Sequence, residues 1–273
     1  MNIQGRDCTL TVARDGEFIP LPYSEETVRL ASKGYSLPEC IGERNREKTV
    51  VTHKEIEGCF VTRLEYLNVL PLFLLFFNSS EKFDLYADRG FEKTVYKNVL
   101  PQSFELRADN KDVFKIRVNV KSSRDSYVTE WPINTPNLSW KEIAGSSQAM
   151  TGSERPARTY SFDGHYITAD LQTLPLVYRF ELNGSFTEKT NFKITLYFPL
   201  SKNHYPTQSR IEKLNILIDH TDGMSIDLFD LVPVTDLCDI NCPDTVLCFQ
   251  TFNILGDVIL NIRNQEQNTH VLL

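Results

Sequence analysis

Between Glu25 and Phe77 the chain runs through an alternating strand, a long charged stretch, a second alternating strand and the apolar run Val69-Leu70-Pro71-Leu72-Phe73-Leu74-Leu75-Phe76-Phe77. This order constrains the fold more than any other feature. In the second strand Ile56, Gly58, Phe60, Thr62, Leu64 and Tyr66 share one face, while Glu57, Arg63 and Glu65 stand on the other. Side chains alternate across a strand, so one face of the sheet is wet and the other packs on a core. The run from Leu67 to Phe77 is too apolar for a surface helix and too long for a hairpin turn. It reads as a short buried helix with Pro71 in its first turn, where proline is tolerated.

Strand patterns recur along the chain. Leu10 and Val12 alternate with Thr9 and Thr11, and Asp15-Gly16 predicts a tight turn into Phe18–Leu21, an opening hairpin. Further strands are expected at Phe83–Ala87, Phe104–Arg107 and Val113–Val120, and after Thr159 around Phe180, Ile194, Ile216 and Ser225–Leu231. Val246–Phe252 and Val258–Ile262, separated by Leu255-Gly256-Asp257, read as a terminal hairpin. With 17 Phe and 11 Tyr against eight Ala, composition favours pleated surfaces over helix. The expected fold is mainly β, a β-sandwich or β-barrel with a short flanking helix. Proline, serine and glycine collect between the two groups of strands. The expected organisation is therefore a β-sandwich over residues 1–125, a connection over 126–158 and a second β-rich domain over 159–273.

The net charge of -7 supplies no general excess of cations with which to neutralise phosphates, which argues against tight binding to nucleic acid. The N-terminal residues lack a signal-peptide pattern, and the longest apolar run is under half a membrane crossing, so neither export nor membrane insertion is expected. Cys8, Cys40, Cys59, Cys238, Cys242 and Cys248 are accordingly read as reduced thiols. Cys238, Cys242 and Cys248 do not have zinc-site spacing, and Asp219, Asp222 and Asp227 lack the oxygen pattern of a calcium loop. No Ser or Cys lies in a nucleophile elbow or beside a recognisable base. No catalytic residue, metal or cofactor is expected.

Two segments remain as candidates for contact. Ser36–Thr52 reads as a long loop or a hairpin arm, crowded with Glu39, Glu43, Arg44, Arg46, Glu47 and Lys48 but interrupted by Cys40-Ile41-Gly42. A charged arm with an apolar spot suits docking, the charges setting specificity and Ile41 supplying burial. Trp131, Trp140 and Tyr160 form a possible aromatic surface for a sugar or a partner, or else a satellite cluster beneath a long loop.

The opening Gly5-Arg6-Asp7-Cys8-Thr9-Leu10-Thr11-Val12, then Glu26-Thr27-Val28-Arg29-Leu30, the long loop, Glu57-Gly58-Cys59-Phe60-Val61-Thr62-Arg63-Leu64, Leu70-Pro71-Leu72-Phe73-Leu74-Leu75 and Leu100-Pro101-Gln102-Ser103-Phe104-Glu105-Leu106 resemble the tail-tube proteins of long-tailed bacteriophages. The resemblance covers about the first half of the chain and is one of pattern and order. It implies a structural, non-enzymatic virion protein of the tail, assembled in the host cytoplasm. Its subunits would join edge to edge into rings around a channel, which abolishes exposed sheet edges. The implied partners are copies of itself, in a hexameric or a trimeric, pseudo-hexameric ring, a tape-measure protein and neighbouring tail proteins. DNA would pass without sequence-specific binding, along a lumen that is acidic in this family. Glu39, Ile41, Glu43, Arg44 and Arg46 would reach the adjacent ring. The resemblance leaves open whether the second half is another tube-like domain or a decoration, and whether the ring repeats along the tube or sits at a tail tip or baseplate. The competing reading is a β-sandwich module that binds carbohydrate or a receptor through Trp131, Trp140 and Tyr160.

Overall fold

The structure, a computed structural model, describes residues 9–38, 47–65, 69–77, 82–90, 92–130, 160–186, 192–199, 210–219, 224–234, 238–242, 245–263 and 268–272. The chain is mainly β and its strands pair antiparallel. The expected opening hairpin is present: β1 (Thr9–Arg14) pairs with β2 (Glu17–Leu21), and Asp15 and Gly16 both take positive φ, 52° and 85°. β3 (Tyr23–Glu26) and β4 (Arg29–Pro38) follow, both pairing with β5 (Glu47–Arg63). Next come α1 (Val69–Phe77), β6 (Phe83–Asp88), β7 (Lys93–Asp109) and β8 (Lys115–Glu130). The second half contributes β9 (Ile167–Ala169), β10 (Gln172–Thr173), β11 (Arg179–Ser185), β12 (Phe192–Pro199), β13 (Ile211–Asp219), β14 (Met224–Pro233), β15 (Cys238–Cys242), β16 (Thr245–Ile254), β17 (Val258–Arg263) and β18 (Asn268–Leu272). Among the described residues no helix is long and apolar enough to cross a membrane.

One wide sheet organises the molecule. Its strands run β3 and β4, β5, β8, β7, β11, β12, β16, β15. Two smaller groups branch from it. β2, β1 and β6 attach through the first part of β7, and β10, β9, β13, β14, β17 and β18 attach where Leu231–Pro233 of β14 pair with Ile254–Phe252 of β16. β7 and β8 turn from one sheet into the other at register shifts between Lys97 and Val99 and between Pro101 and Ser103, as extra residues bend a strand.

The helix expected at the apolar run is present, and Leu72, Phe73, Leu75, Phe76 and Phe77 are buried. Its rings tie the two halves together: Phe76 and Phe77 lie 5.7 and 5.0 Å from Phe186, and Phe77 meets Phe104 edge-on at 4.7 Å. Phe180 reaches back to Phe114 at 5.7 Å. The division expected between residues 1–125 and 159–273 is thus not a division of the core. A single buried cluster spans both halves, and β7 and β11 pair over Ser103–Asp109 and Ser185–Arg179. Burying the seam removes a sheet edge that each half would otherwise expose.

The terminal hairpin expected between Val246–Phe252 and Val258–Ile262 does not form. β16 pairs with β12, β14 and β15, whereas β17 pairs with β14 and β18. They run one after the other along the same edge of β14, and the connecting residues stay on that edge as a bulge, the Phe229 N–H donating to Asp257 while Leu255 and Gly256 donate to Asp230 and Phe229.

Candidate assembly surface

Cross-strand register places one series of side chains on the face of the wide sheet that points away from the core. Partners opposite each other in adjacent strands point to the same side. One row runs Arg63, Lys115, Arg107, Glu181, Thr195, Thr251, and the next runs Val61, Arg117, Glu105, Asn183, Lys193, Asn253. A third holds Asp109, Arg179, Tyr197 and Phe249. The intervening residues Thr62, Ile116, Leu106, Leu182 and Ile194 are buried in the core.

The charges on this face form a ladder across the strands. Arg117 donates to Glu25 at 2.9 Å and Lys115 to Asp112 at 2.9 Å. Arg107 donates to Asp109 at 3.3 Å and lies 3.9 Å from Glu181. From the second half, Arg179 also engages Asp109, lies 3.8 Å from Glu181 and sits over the Tyr197 ring at 5.4 Å. Tyr197 donates its hydroxyl to Glu181 at 2.9 Å. Burial, with the Glu181 carboxylate behind it, pushes the Tyr197 phenol up to about 12. Burial opposes the Arg179 charge, but Asp109 and then Glu181 outweigh it and hold that guanidinium above its ordinary range. The Lys115 hydrogen bond holds the Asp112 carboxyl below the usual carboxylate range, against the effect of burial. The ladder crosses the seam between the halves, so the wet face is one continuous surface.

At its first-half end the wide sheet gives way to a ribbon. Over Pro38–Leu30 and Glu47–Ile56, β4 and β5 pair with each other, whereas β8 joins β5 only from Glu57 to Arg63. Of the expected Ser36–Thr52 arm, the described residues 36–38 and 47–52 therefore belong to an antiparallel ribbon that runs past the part of β5 that pairs with β8. Its base is clamped. Arg89 donates through Nε and Nη2 to the two oxygens of Glu26, each at 2.9 Å, and through Nη2 to the Val28 carbonyl at 2.7 Å and the Tyr96 hydroxyl at 3.0 Å. Tyr96 donates to the same Val28 carbonyl at 2.7 Å, and the Val28 N–H donates to Glu26 at 2.6 Å. Gly58 takes φ 140°, and a Cβ there would lie 2.5 Å from the Thr27 carbonyl, so only glycine lets the chain cross β5 at this point. Lys33 and Arg29 hold the Glu57 carboxyl below its usual range at the root of the ribbon.

The two ends of the wide sheet are paired on one side among the described residues. Among the described residues β4 pairs only with β5, and β15 only with β16, over Cys238–Cys242 and Phe249–Thr245. A sheet edge without a further strand is a template for another chain.

Of the residues singled out in the sequence, Glu39, Ile41, Glu43, Arg44, Arg46, Trp131 and Trp140 lie outside the described residues. Tyr160 is corrected. It is only 2% exposed, and its backbone joins β8 and β5 by accepting from the Phe114 N–H at 2.9 Å and donating to Leu64 at 3.2 Å, so it is a core residue and not a contact surface. Among the described residues no three His, Cys, Asp or Glu side chains gather as metal ligands, and Cys59 and Cys248 are free thiols. The ladder and the clamp were missed in the sequence. Alternation along each strand signals a wet face, but which strands lie side by side depends on pairings 63 to 92 residues apart for Arg89–Glu26 and Arg117–Glu25. No protein-family model matches the chain, and no curated protein matches it.

Proposed function

We propose that this chain is a structural virion protein that assembles into rings of a phage tail tube, its wide sheet continued from copy to copy into a closed barrel around the channel for DNA. The observation that carries this reading is the wide sheet itself, which ends at β4 on one side and β15 on the other with no second partner among the described residues. Closing the sheet through identical copies would satisfy both edges at once, which is the physical incentive for a ring. The β4–β5 ribbon, held at its root by Arg89 and Tyr96, suits an arm that reaches a neighbouring ring. Because both halves contribute strands to the same sheet, the trimeric, pseudo-hexameric form of the ring is favoured over six whole copies. The burial of Tyr160 weakens the competing carbohydrate-binding reading, which used that ring as part of its contact surface.

Light scattering combined with negative-stain electron microscopy of concentrated protein tests the proposal. Rings or stacked tubes with a stain-filled centre are the expected result. A monomer that persists at every concentration and forms no ring overturns it.

A further inference from the structure

β9 and β10 are joined by a two-residue turn, Asp170-Leu171, between the paired residues Ala169 and Gln172. Both turn residues take positive φ, 49° and 67°. The chain builds the same kind of turn between β1 and β2 from Asp15-Gly16, at 52° and 85°. Aspartate tolerates that region and glycine has no Cβ to clash, but a leucine there is strained. Leu171 is also 96% exposed, so burial within its own subunit does not offset the strain. The turn is nonetheless held firmly: the Asp170 N–H donates to the Lys213 carbonyl and the Lys213 N–H donates to the Asp170 carboxylate, each at 2.9 Å. A side chain that works against its own fold, on a fixed tip, points to a contact outside the subunit.

Leu171 stands at one end of an exposed apolar rim. Asp170 adjoins Lys213, Lys213 is opposite Phe229 with its ammonium 5.2 Å from the ring, and the Phe229 carbonyl accepts from the Gly256 N–H. Beside Gly256 is Leu255, 65% exposed, and past the β14–β16 pairing is Val234, 50% exposed. This rim borders the same edge of β16 along which β15 follows. At the other border of the wide sheet Leu30 of β4 is exposed, at 44%. Antiparallel alternation from β5 to β16 puts the Leu30–Ile56 pair and Leu255 on the same side of the row from Val61 to Asn253, the side toward the ribbon.

We infer that Leu171 is an assembly knob: the rim of Leu171, Leu255 and Val234 on one copy of this chain closes over Leu30 and the β4 border of the next. The inference rests on the tail-tube reading for which borders meet, and adds the side-chain contact that decides register and partner. Backbone edges pair with little regard for sequence, so an apolar knob at a fixed height restricts pairing to a chain with apolar surface at the matching height. The contact runs from the second half of one copy to the first half of another, a heterologous arrangement that can close into a ring.

The test measures two properties of the full-length protein. Sedimentation velocity across a concentration series, with negative-stain electron microscopy of the same samples, reports self-association, and circular dichroism reports the urea midpoint. Leu171→Gly removes the knob and suits the turn, so the midpoint should hold or rise while self-association weakens about ten-fold or more, as for loss of a buried anchor. Leu171→Asn, which also tolerates positive φ, should do the same. Leu30→Asn should weaken association to a similar degree, and combining it with Leu171→Gly should add little, since each single change already breaks the same contact. Association unchanged by both Leu171 substitutions overturns the inference. So does a lower urea midpoint for both, which would make Leu171 a folding residue, or full additivity with Leu30→Asn. Rings that persist in Leu171→Gly overturn the inference and leave the tail-tube reading standing. A parent protein whose association depends on Leu171 but which forms no rings sinks the tail-tube reading alone, and a parent that never associates overturns both.

Discussion

Replacing Arg89 with methionine should be among the most damaging single changes at the base of the arm. The Glu26 side chain is only 6% exposed and Arg89 is 22% exposed, so the substitution strands a buried carboxylate whose charge the guanidinium had met through two hydrogen bonds. Removing one partner of a buried ion pair costs about 3–5 kcal/mol, and because part of Arg89 reaches water the lower end, about 3 kcal/mol, applies here. The Val28 carbonyl keeps its bond from Tyr96, so no backbone group is orphaned to add to that figure. With a denaturant dependence of about 3 kcal/mol per molar, the urea midpoint should fall by about 1 M, read by circular dichroism or intrinsic fluorescence. Adding Glu26→Gln to Arg89→Met should recover part of the loss, since an amide leaves no unpaired charge in the interior. A midpoint within about 0.2 M of the parent protein, or a double variant weaker than Arg89→Met alone, would refute the view that the clamp is a buried ionic tie.

Three further outcomes are expected. Deleting 36–52 should leave a folded protein that cannot stack rings, because the β4–β5 pairing below Lys33 and His53 remains and β5 keeps β8 beside it; loss of the circular dichroism signal would show that the ribbon is structural instead. Gly184→Ala at the seam would bring a Cβ within 2.5 and 2.6 Å of the Phe192 and Phe104 rings, and should destabilise by about 1–3 kcal/mol in urea melts, whereas a neutral result would mean that the aromatic cluster yields. The folded Tyr197 phenol titrates near 12, above its ordinary value of 10.0, so its contribution to stability is complete below pH about 10 and is lost as pH rises toward 12. Tyr197→Phe should reduce that alkaline loss in melts taken across this window. An unchanged alkaline profile would show that Tyr197 is not the group responsible.

Much of the first half was legible in the residues. Asp15-Gly16 specified its turn, the alternation from Ile56 to Leu64 identified the inward face of β5, and Pro71 at the start of an apolar run marked the first turn of α1. Other elements were hidden by local signals. Asn98 and Pro101 interrupt the pattern of β7, because they sit at the bulges where the strand changes sheet, and Asn98 itself takes φ 56°. Residues 126–130 read as the start of the connection, yet they complete β8, with Tyr127–Glu130 beside Lys97–Thr94, where polar side chains need only half-burial. Leu255-Gly256-Asp257 has the composition of a hairpin turn, but β16 and β17 run on along one edge of β14, which makes the segment a bulge opposite Phe229 and Asp230. The candidate surface was the least visible part. The acidic total concealed the ladder of paired charges, because charge balance carries no information on which strands are neighbours.

Electron cryo-microscopy of the protein in its assembled state bears most directly on the claim that copies of this chain complete one another's sheets. The expected map shows β15 of one subunit hydrogen-bonded to the β3–β4 border of the next. A map in which the wide sheets of neighbouring subunits end separately contradicts it.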